Sequence, residues 1–274
     1  MMRDVASERD DRGITIRRVG VRDLHLPVMI REKAGGHARV VGAFEAAVEL
    51  PHYERGTHMS RLVRILSRWS KRAVAMPELE EMLREIREQF RAQAARVRLG
   101  FTYFLAKRSP GTDHPCQLDY ECCFEASSDG DEHDFLLGVE VPVMTLCPCS
   151  KEISCHGAHS QRAMIRVRLR SRDGQIVWLE DLIPVLEEQG SAQIYPVLQR
   201  ADEKLITERA WENAKFVEDV VRDSVLALRE LPGVAWFSVE CESFESIHNH
   251  SAWAFTDWPE SEPAGAQASP VAET

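Results

Sequence analysis

The stretch Val40-Val41-Gly42-Ala43-Phe44-Glu45-Ala46-Ala47-Val48-Glu49-Leu50-Pro51 decides the fold class. Val40, Gly42, Phe44, Ala46, Val48 and Leu50 fall on one face of an extended chain, which is the period of a strand with one covered side. Pro51 ends it. Upstream, Ile14 to Ile30 reads as a first extended segment interrupted by Pro27. Downstream the period changes to three and four. Met59, Leu62, Val63, Leu66 and Trp69 form one helical stripe, and Leu79, Met82, Leu83, Ile86 and Phe90 form another in a helix opened by Pro77. Two strands follow, with Val97, Leu99, Phe101 and Tyr103 inward on one and Leu118, Tyr120, Cys122 and Phe124 on the other. Ser127 to Asp134, polar around Gly130, reads as a loop.

The remainder repeats this order. Phe135 to Leu146 is a strand, and in the next Ile165, Val167 and Leu169 alternate with Arg166, Arg168 and Arg170. A short helix is predicted over about Trp178 to Glu188 despite Pro184. A longer one is predicted over about Thr207 to Arg229, followed by a last strand with Phe237, Val239 and Cys241 inward. The pattern is a duplicated α+β unit with antiparallel sheet and helices on one face. Its units cover residues 9–126 and 132–258, and a tail at 259–274 without periodicity is expected to be disordered.

Composition narrows the function. The 274 residues carry 34 basic and 44 acidic side chains, a formal charge of −10, which argues against nucleic-acid binding through bulk electrostatics. No apolar run approaches the roughly 20 residues of a membrane span. Met1 to Arg12 is too charged for a secretory signal, so the seven cysteines are expected as reduced thiols of a cytoplasmic protein. Glycine-rich phosphate loops, dinucleotide fingerprints and the Gly-x-Ser-x-Gly elbow do not occur.

Four clusters carry chemistry. Leu146-Cys147-Pro148-Cys149-Ser150-Lys151-Glu152-Ile153-Ser154 leads into Gly157-Ala158-His159-Ser160-Gln161-Arg162. Thiolate and imidazole together suit zinc and neighbouring metals. Two thiols around one proline reach a single ion only through a tight turn, so one ligand with one free reactive thiol stands beside two ligands as a chemical reading. The plain alternative is two buried cysteines and a surface histidine. Lys151 lowers a thiol's pKa where it lies close. Asp202 to Arg209 reads as an acidic loop with Thr207 as a helix N-cap, and Glu218 sits on the helix beyond, at the edge of its apolar stripe. Glu245-Ser246-Ile247-His248-Asn249-His250 offers a His-x-His pair for proton transfer or metal ligation. Arg55-Gly56-Thr57-His58-Met59-Ser60-Arg61 places cations at a helix start, a ready anion site.

Taken with Phe216-Val217-Glu218-Asp219, these motifs resemble, in order and over nearly the whole chain, the prokaryotic type IB GTP cyclohydrolase I family. The resemblance implies a tandem tunnelling fold (T-fold) and a homotetramer with active sites at subunit interfaces. It implies conversion of GTP and water to 7,8-dihydroneopterin triphosphate and formate, with a divalent metal, manganese or zinc. It implies Cys147, His159 and Glu203 as metal ligands with a position left open for water. Cys149 would face the reacting region, and His248 and His250 would shuttle protons. Glu218 would anchor guanine, and His58 and Arg61 would contact the triphosphate. Another enzyme of the same fold, or a module holding metal only for stability, are the alternatives to this reading.

Overall fold

The computed structural model describes residues 4–6, 8–172 and 175–259. The first half runs β1 (Ile16–Arg31), β2 (His37–Leu50), α1 (Met59–Trp69), β3 (Ala73–Val74), α2 (Met76–Phe90), β4 (Ala94–Arg108) and β5 (Pro115–Asp129). The second runs β6 (Glu132–Leu146), α3 (Pro148–Ile153), β7 (Ser160–Ser171), α4 (Leu179–Glu187), β8 (Ala192–Gln193), α5 (Arg200–Glu212), α6 (Val217–Glu230), β9 (Val234–Ser243) and β10 (Ala252–Trp258). The strands form one sheet in the order β10-β9-β7-β6-β5-β4-β2-β1-β3, with β8 beside β6. Neighbours are antiparallel except for the short β1–β3 pair. The path from β1 to β5 and the path from β10 to β6 run inward from the two edges and meet at the β5–β6 pairing.

Period-two alternation sends one row of each strand toward the helices. Phe44, Ala46 and Val48 from β2, Val97 and Leu99 from β4, and Ile165, Val167 and Leu169 from β7 share one buried cluster with Leu62 and Leu66 of α1, Met82 and Ile86 of α2, Leu182 of α4 and Val220 of α6. The opposite face is a charge ladder. Arg166 lies opposite Glu140 on one side and Glu240 on the other. It reaches Glu240 at 2.8 Å, Glu242 at 2.9 Å and Glu140 at 3.4 Å. Glu125 meets Arg96, Arg98 and Arg168 in the same way.

The structure corrects four of the sequence expectations. Ser127 to Asp134 is not a loop. Only Gly130 and Asp131 lie between β5 and β6, with Gly130 at φ 57° making the tight turn. The flanking polar residues stay in the ladder because Ser128 accepts from Arg87 Nη1 and Asp134 accepts from Arg170 Nε. Second, Pro27 does not interrupt β1. It pairs opposite Val41, and β1 lies near the sheet edge, where a missing N–H costs little. Third, the helix expected over Thr207 to Arg229 is two helices, and the acidic stretch expected as a loop belongs to α5. The chain leaves helical geometry at Asn213, whose amide donates to Gly190 O and Ser191 O. It restarts where Asp219 accepts from Phe216 N at 3.1 Å. Thr207 is therefore no N-cap, and its hydroxyl donates to Glu203 O one turn back. Fourth, β9 is not the last strand, since β10 pairs along it from Ser243 to Phe237. The tail expectation, beyond Pro259, lies outside the described residues.

Gly20 is required by close approach. A Cβ there would stand 1.8 Å from Ala46 O, in the stretch of β1 between its two register shifts against β2.

The halves are also tied through α4. Glu180 accepts from Tyr103 OH of β4 at 3.0 Å, and Glu187 accepts from Tyr120 OH of β5 at 2.8 Å. Glu187 also pairs with Lys107 of β4, their side chains 6% and 8% exposed. Removing one partner of such a pair leaves a buried charge alone, so Glu187→Ala should lower unfolding stability by about 3–5 kcal/mol in denaturant titration. Lys107→Met/Glu187→Leu should lose clearly less. Thiol chemistry gives a second check. Burial pushes the Cys122 thiol far up and that of Cys241 to about 12, whereas Cys149 and Cys155 are exposed. Alkylation of the folded protein near pH 8 should modify Cys149 and Cys155 first and reach Cys122 and Cys241 only on unfolding, as peptide mass mapping would read.

Candidate functional site

The inward row of three adjacent strands turns polar at one end of the sheet. On β6 the run Val139, Val141, Val143 ends in Thr145. On β7, Ile165 and Ala163 lead back to Gln161, and on β9, Val239 and Cys241 lead to Ser243. Register places Thr145 opposite Gln161 and Ala163 opposite Ser243. Thr145 and Ser243 are 2% and 1% exposed, and their hydroxyls bond each other at 3.0 Å. Gln161 Nε2 donates to both hydroxyls at 3.1 Å and to Glu245 Oε1 at 3.4 Å, and Ser243 donates to Glu245 at 2.9 Å.

This network ends on His159. Its Nδ1 meets Gln161 Oε1 at 2.9 Å and lies 3.6 Å from Glu245 Oε2. Gln161 Nε2 is committed to three acceptors, so Oε1 is the atom turned to the imidazole and Nδ1 carries the proton. Nε2 is thereby left as the acceptor nitrogen of the ring. Cys147 is held beside it. Its backbone N donates to His159 O at 3.1 Å, and Ser150 N donates to its Sγ at 3.4 Å. Ser150 Oγ bridges the two, donating to Cys147 O and accepting from His159 N. Cys147 caps α3, and Cys149 stands in that helix's first turn, exposed.

Glu203 is on α5, exposed, and spaced three and seven residues from Ile206 and Ala210 on one helical face. Those two pack with Leu146 and Ala158, which directly precede Cys147 and His159. Among the described residues no group of three or more His, Cys, Asp or Glu stands in metal-holding geometry. The chain therefore holds the backbones of Cys147 and His159 together and brings α5 alongside. The donor chemistry fits a borderline divalent ion. Lys151 is committed to α5: its Nζ donates to Trp211 O and lies 5.0 Å from the centre of that indole ring.

His248 and His250 follow Glu245 in the β9–β10 connection and stack with ring centres 5.1 Å apart. Glu218, in the first turn of α6, lines an open groove with Val221, Val225, Leu226 and Phe255 of α6 and β10. His58 and Arg61 lie in the other half of the chain, His58 directly before α1 and Arg61 in its first turn, and α1 packs over β1. His58 Nε2 is 3.4 Å from Asp4 Oδ2. Arg61 donates to Gln89 O and stacks on Phe90. Gln161, Glu245, Thr145 and Ser243 had no role assigned from sequence. The signal was the loss of apolar residues at the same end of three inward rows.

Solved structures with a similar backbone include uricase from Arthrobacter globiformis, with TM-score 0.55 and 9% identity over 92% of this chain and 96% of that one. Urate oxidase from Bacillus subtilis 168 aligns with TM-score 0.52 and 6% identity over 88% and 97%. At these identities the likeness concerns the fold alone. The chain is 43% identical to the GTP cyclohydrolase FolE2 of Syntrophotalea carbinolica over 97% of its own length and 100% of that protein. It is 46% identical to that of Geotalea uraniireducens over 92% of each, and 43% identical to that of Fervidobacterium nodosum over 93% and 96%. The profile of the type I GTP cyclohydrolase folE2 family matches residues 2–254, and with these identities the chain belongs to that family.

Proposed function

We propose that the protein is a type IB GTP cyclohydrolase I, hydrolysing GTP to 7,8-dihydroneopterin triphosphate and formate as the first step of tetrahydrofolate biosynthesis, with the product also feeding 7-deazaguanine tRNA modification. Family membership over 92–97% of the chain carries the reaction class. The single structural observation that carries the site is Cys147 and His159 joined at 3.1 Å through their backbones, with His159 oriented by Gln161.

Cys147, His159 and Glu203 are the residues that would hold a divalent ion, manganese or zinc. When bound it supplies Lewis acidity at the atoms of water and purine. Glu218 anchors guanine: its carboxylate accepts from N1–H and the 2-amino group together, a donor pair that adenine lacks. The apolar walls beside Glu218 suit a flat base. His248 and His250 take up and return protons as the imidazole ring opens and formate leaves. Cys149, exposed beside Cys147, faces the reacting region.

The same reading makes the sheet a tandem T-fold of two modules, 9–126 and 132–258, supported by the matching strand paths that meet at β5–β6. It makes the molecule a homotetramer with shared sites. In support, His58 and Arg61 sit over β1, at the opposite end of the strand order from β9 and β10, so one triphosphate would draw on two subunits. A cytoplasmic location is part of the same reading, and the seven unpaired cysteines suit a reducing compartment.

Chelator-stripped protein given GTP with manganese or zinc should yield metal-dependent neopterin fluorescence after oxidation and dephosphorylation, with one formate per GTP. Absence of formate from folded, metal-loaded protein would refute the reaction. Cys147→Ala should lose bound metal and turnover together. Glu218→Ala should keep metal but raise the GTP KM steeply, and loss of metal in that variant would contradict the anchor role.

A further inference from the structure

Asp202 is fully buried at the start of α5, directly before Glu203. Each of its oxygens accepts two hydrogen bonds. Oδ1 takes Gly111 N and Thr112 N, both at 2.8 Å. Oδ2 takes Thr112 Oγ1 at 2.6 Å and Gln199 N at 2.9 Å. Three of the four donors belong to the β4–β5 connection of the first half of the chain. That connection is itself preformed: Arg108 Nε donates to Asp113, Ser109 Oγ bonds Thr112 Oγ1 at 2.9 Å and accepts from His114 N at 2.9 Å. Gly111 is packed so close that a Cβ there would stand 2.6 Å from Leu205 Cδ1 and 3.2 Å from Asp202 Oδ1.

We propose that Asp202 is a positioning residue that locks the first turn of α5 to the β4–β5 connection and so fixes where Glu203 is presented to Cys147 and His159. The proposal rests on the reading of Glu203 as a ligand. Ile206 and Ala210 hold the middle of α5 against Leu146 and Ala158, and Lys151 holds its far end through Trp211 O. Neither contact fixes the first turn, where Glu203 sits. Among the described residues, the hydrogen bonds that tie that turn to another element are those of Asp202, and they run to a loop from the other half of the molecule. A ligand on an exposed helix end otherwise loses affinity through the freedom of its carrier, and outer partners of metal ligands commonly govern affinity for this reason.

All four partners of Asp202 are donors, so the conservative change Asp202→Asn puts an amide NH2 against N–H and O–H groups. The experiment uses the full-length protein, stripped of metal and titrated with Mn2+ alone, with free Mn2+ read by EPR and folding by far-UV circular dichroism and melting temperature. Asp202→Asn should bind Mn2+ about tenfold more weakly while folded. Thr112→Val and Gly111→Ala, which leave the carboxylate in place, should shift affinity the same way by smaller factors. A role confined to stability would lower the melting temperature and leave Mn2+ affinity of the folded protein unchanged; that result in Asp202→Asn overturns the proposal. Should Asp202→Asn fail to fold, unchanged affinity in both loop variants overturns it instead. Glu203→Ala separates the two readings. If it loses Mn2+ affinity while Asp202→Asn does not, the ligand stands and the positioning role falls. If Glu203→Ala keeps full affinity, the ligand reading falls and takes the proposal with it.

Discussion

The pairing of β5 with β6 is the constraint on which the rest of the molecule depends. It joins two antiparallel paths into one sheet through a connection of only Gly130 and Asp131. Because the join is a tight hairpin, the two halves cannot drift in register, and their helices share one buried layer instead of two. The layer is then stitched crosswise. α4 comes from the second half, yet its glutamates take hydrogen bonds from Tyr103 and Tyr120 of the first. The β4–β5 connection likewise reaches α5 through Asp202. Both stitches place a carboxylate of the second half on donors of the first, so disturbance of either half is felt across the join.

The two faces of the sheet follow from the same alternation. One row gives the apolar cluster, and the other gives Arg166 among three glutamates and Glu125 among three arginines. These pairs are only partly buried, so each contributes modestly to stability. Their cross-strand order nonetheless opposes slippage by one residue, which would put arginines into the core and valines into water. A net charge of −10 therefore coexists with a sheet face on which charges are locally matched.

Much of this was legible in the sequence because period two and period three-to-four need no tertiary information. The inward rows of β2, β4, β5, β7 and β9 and the stripes of α1 and α2 are written in residue order. Reading failed where a distant partner overrides local preference. Ser127 to Asp134 looks like a loop until Arg87 and Arg170 are seen to satisfy its side chains. Asp202 to Arg209 looks like a solvated acidic loop because three of the four donors to the buried Asp202 lie about ninety residues away. The motif residues of the site were legible as chemistry, but the geometry that serves them was not. Nothing local says that Thr145, Gln161 and Ser243 meet, since their adjacency is a matter of strand register.

That meeting explains why the site lies at a rim of the sheet and not over its middle. A buried hydroxyl is costly unless bonded, and Thr145 and Ser243 are bonded to each other and to Gln161. The group is therefore closed: each polar atom is satisfied by another member, with Glu245 at its outer edge and His159 at its end. Valine at both Thr145 and Ser243 would leave the Gln161 amide with Glu245 as its remaining acceptor for two N–H groups, and so free to flip. A flip would present a donor to the imidazole and exchange its protonated nitrogen. The apolar rows can thus continue no further toward this rim without disarming the histidine. The end of the core and the beginning of the site are set by the same three side chains.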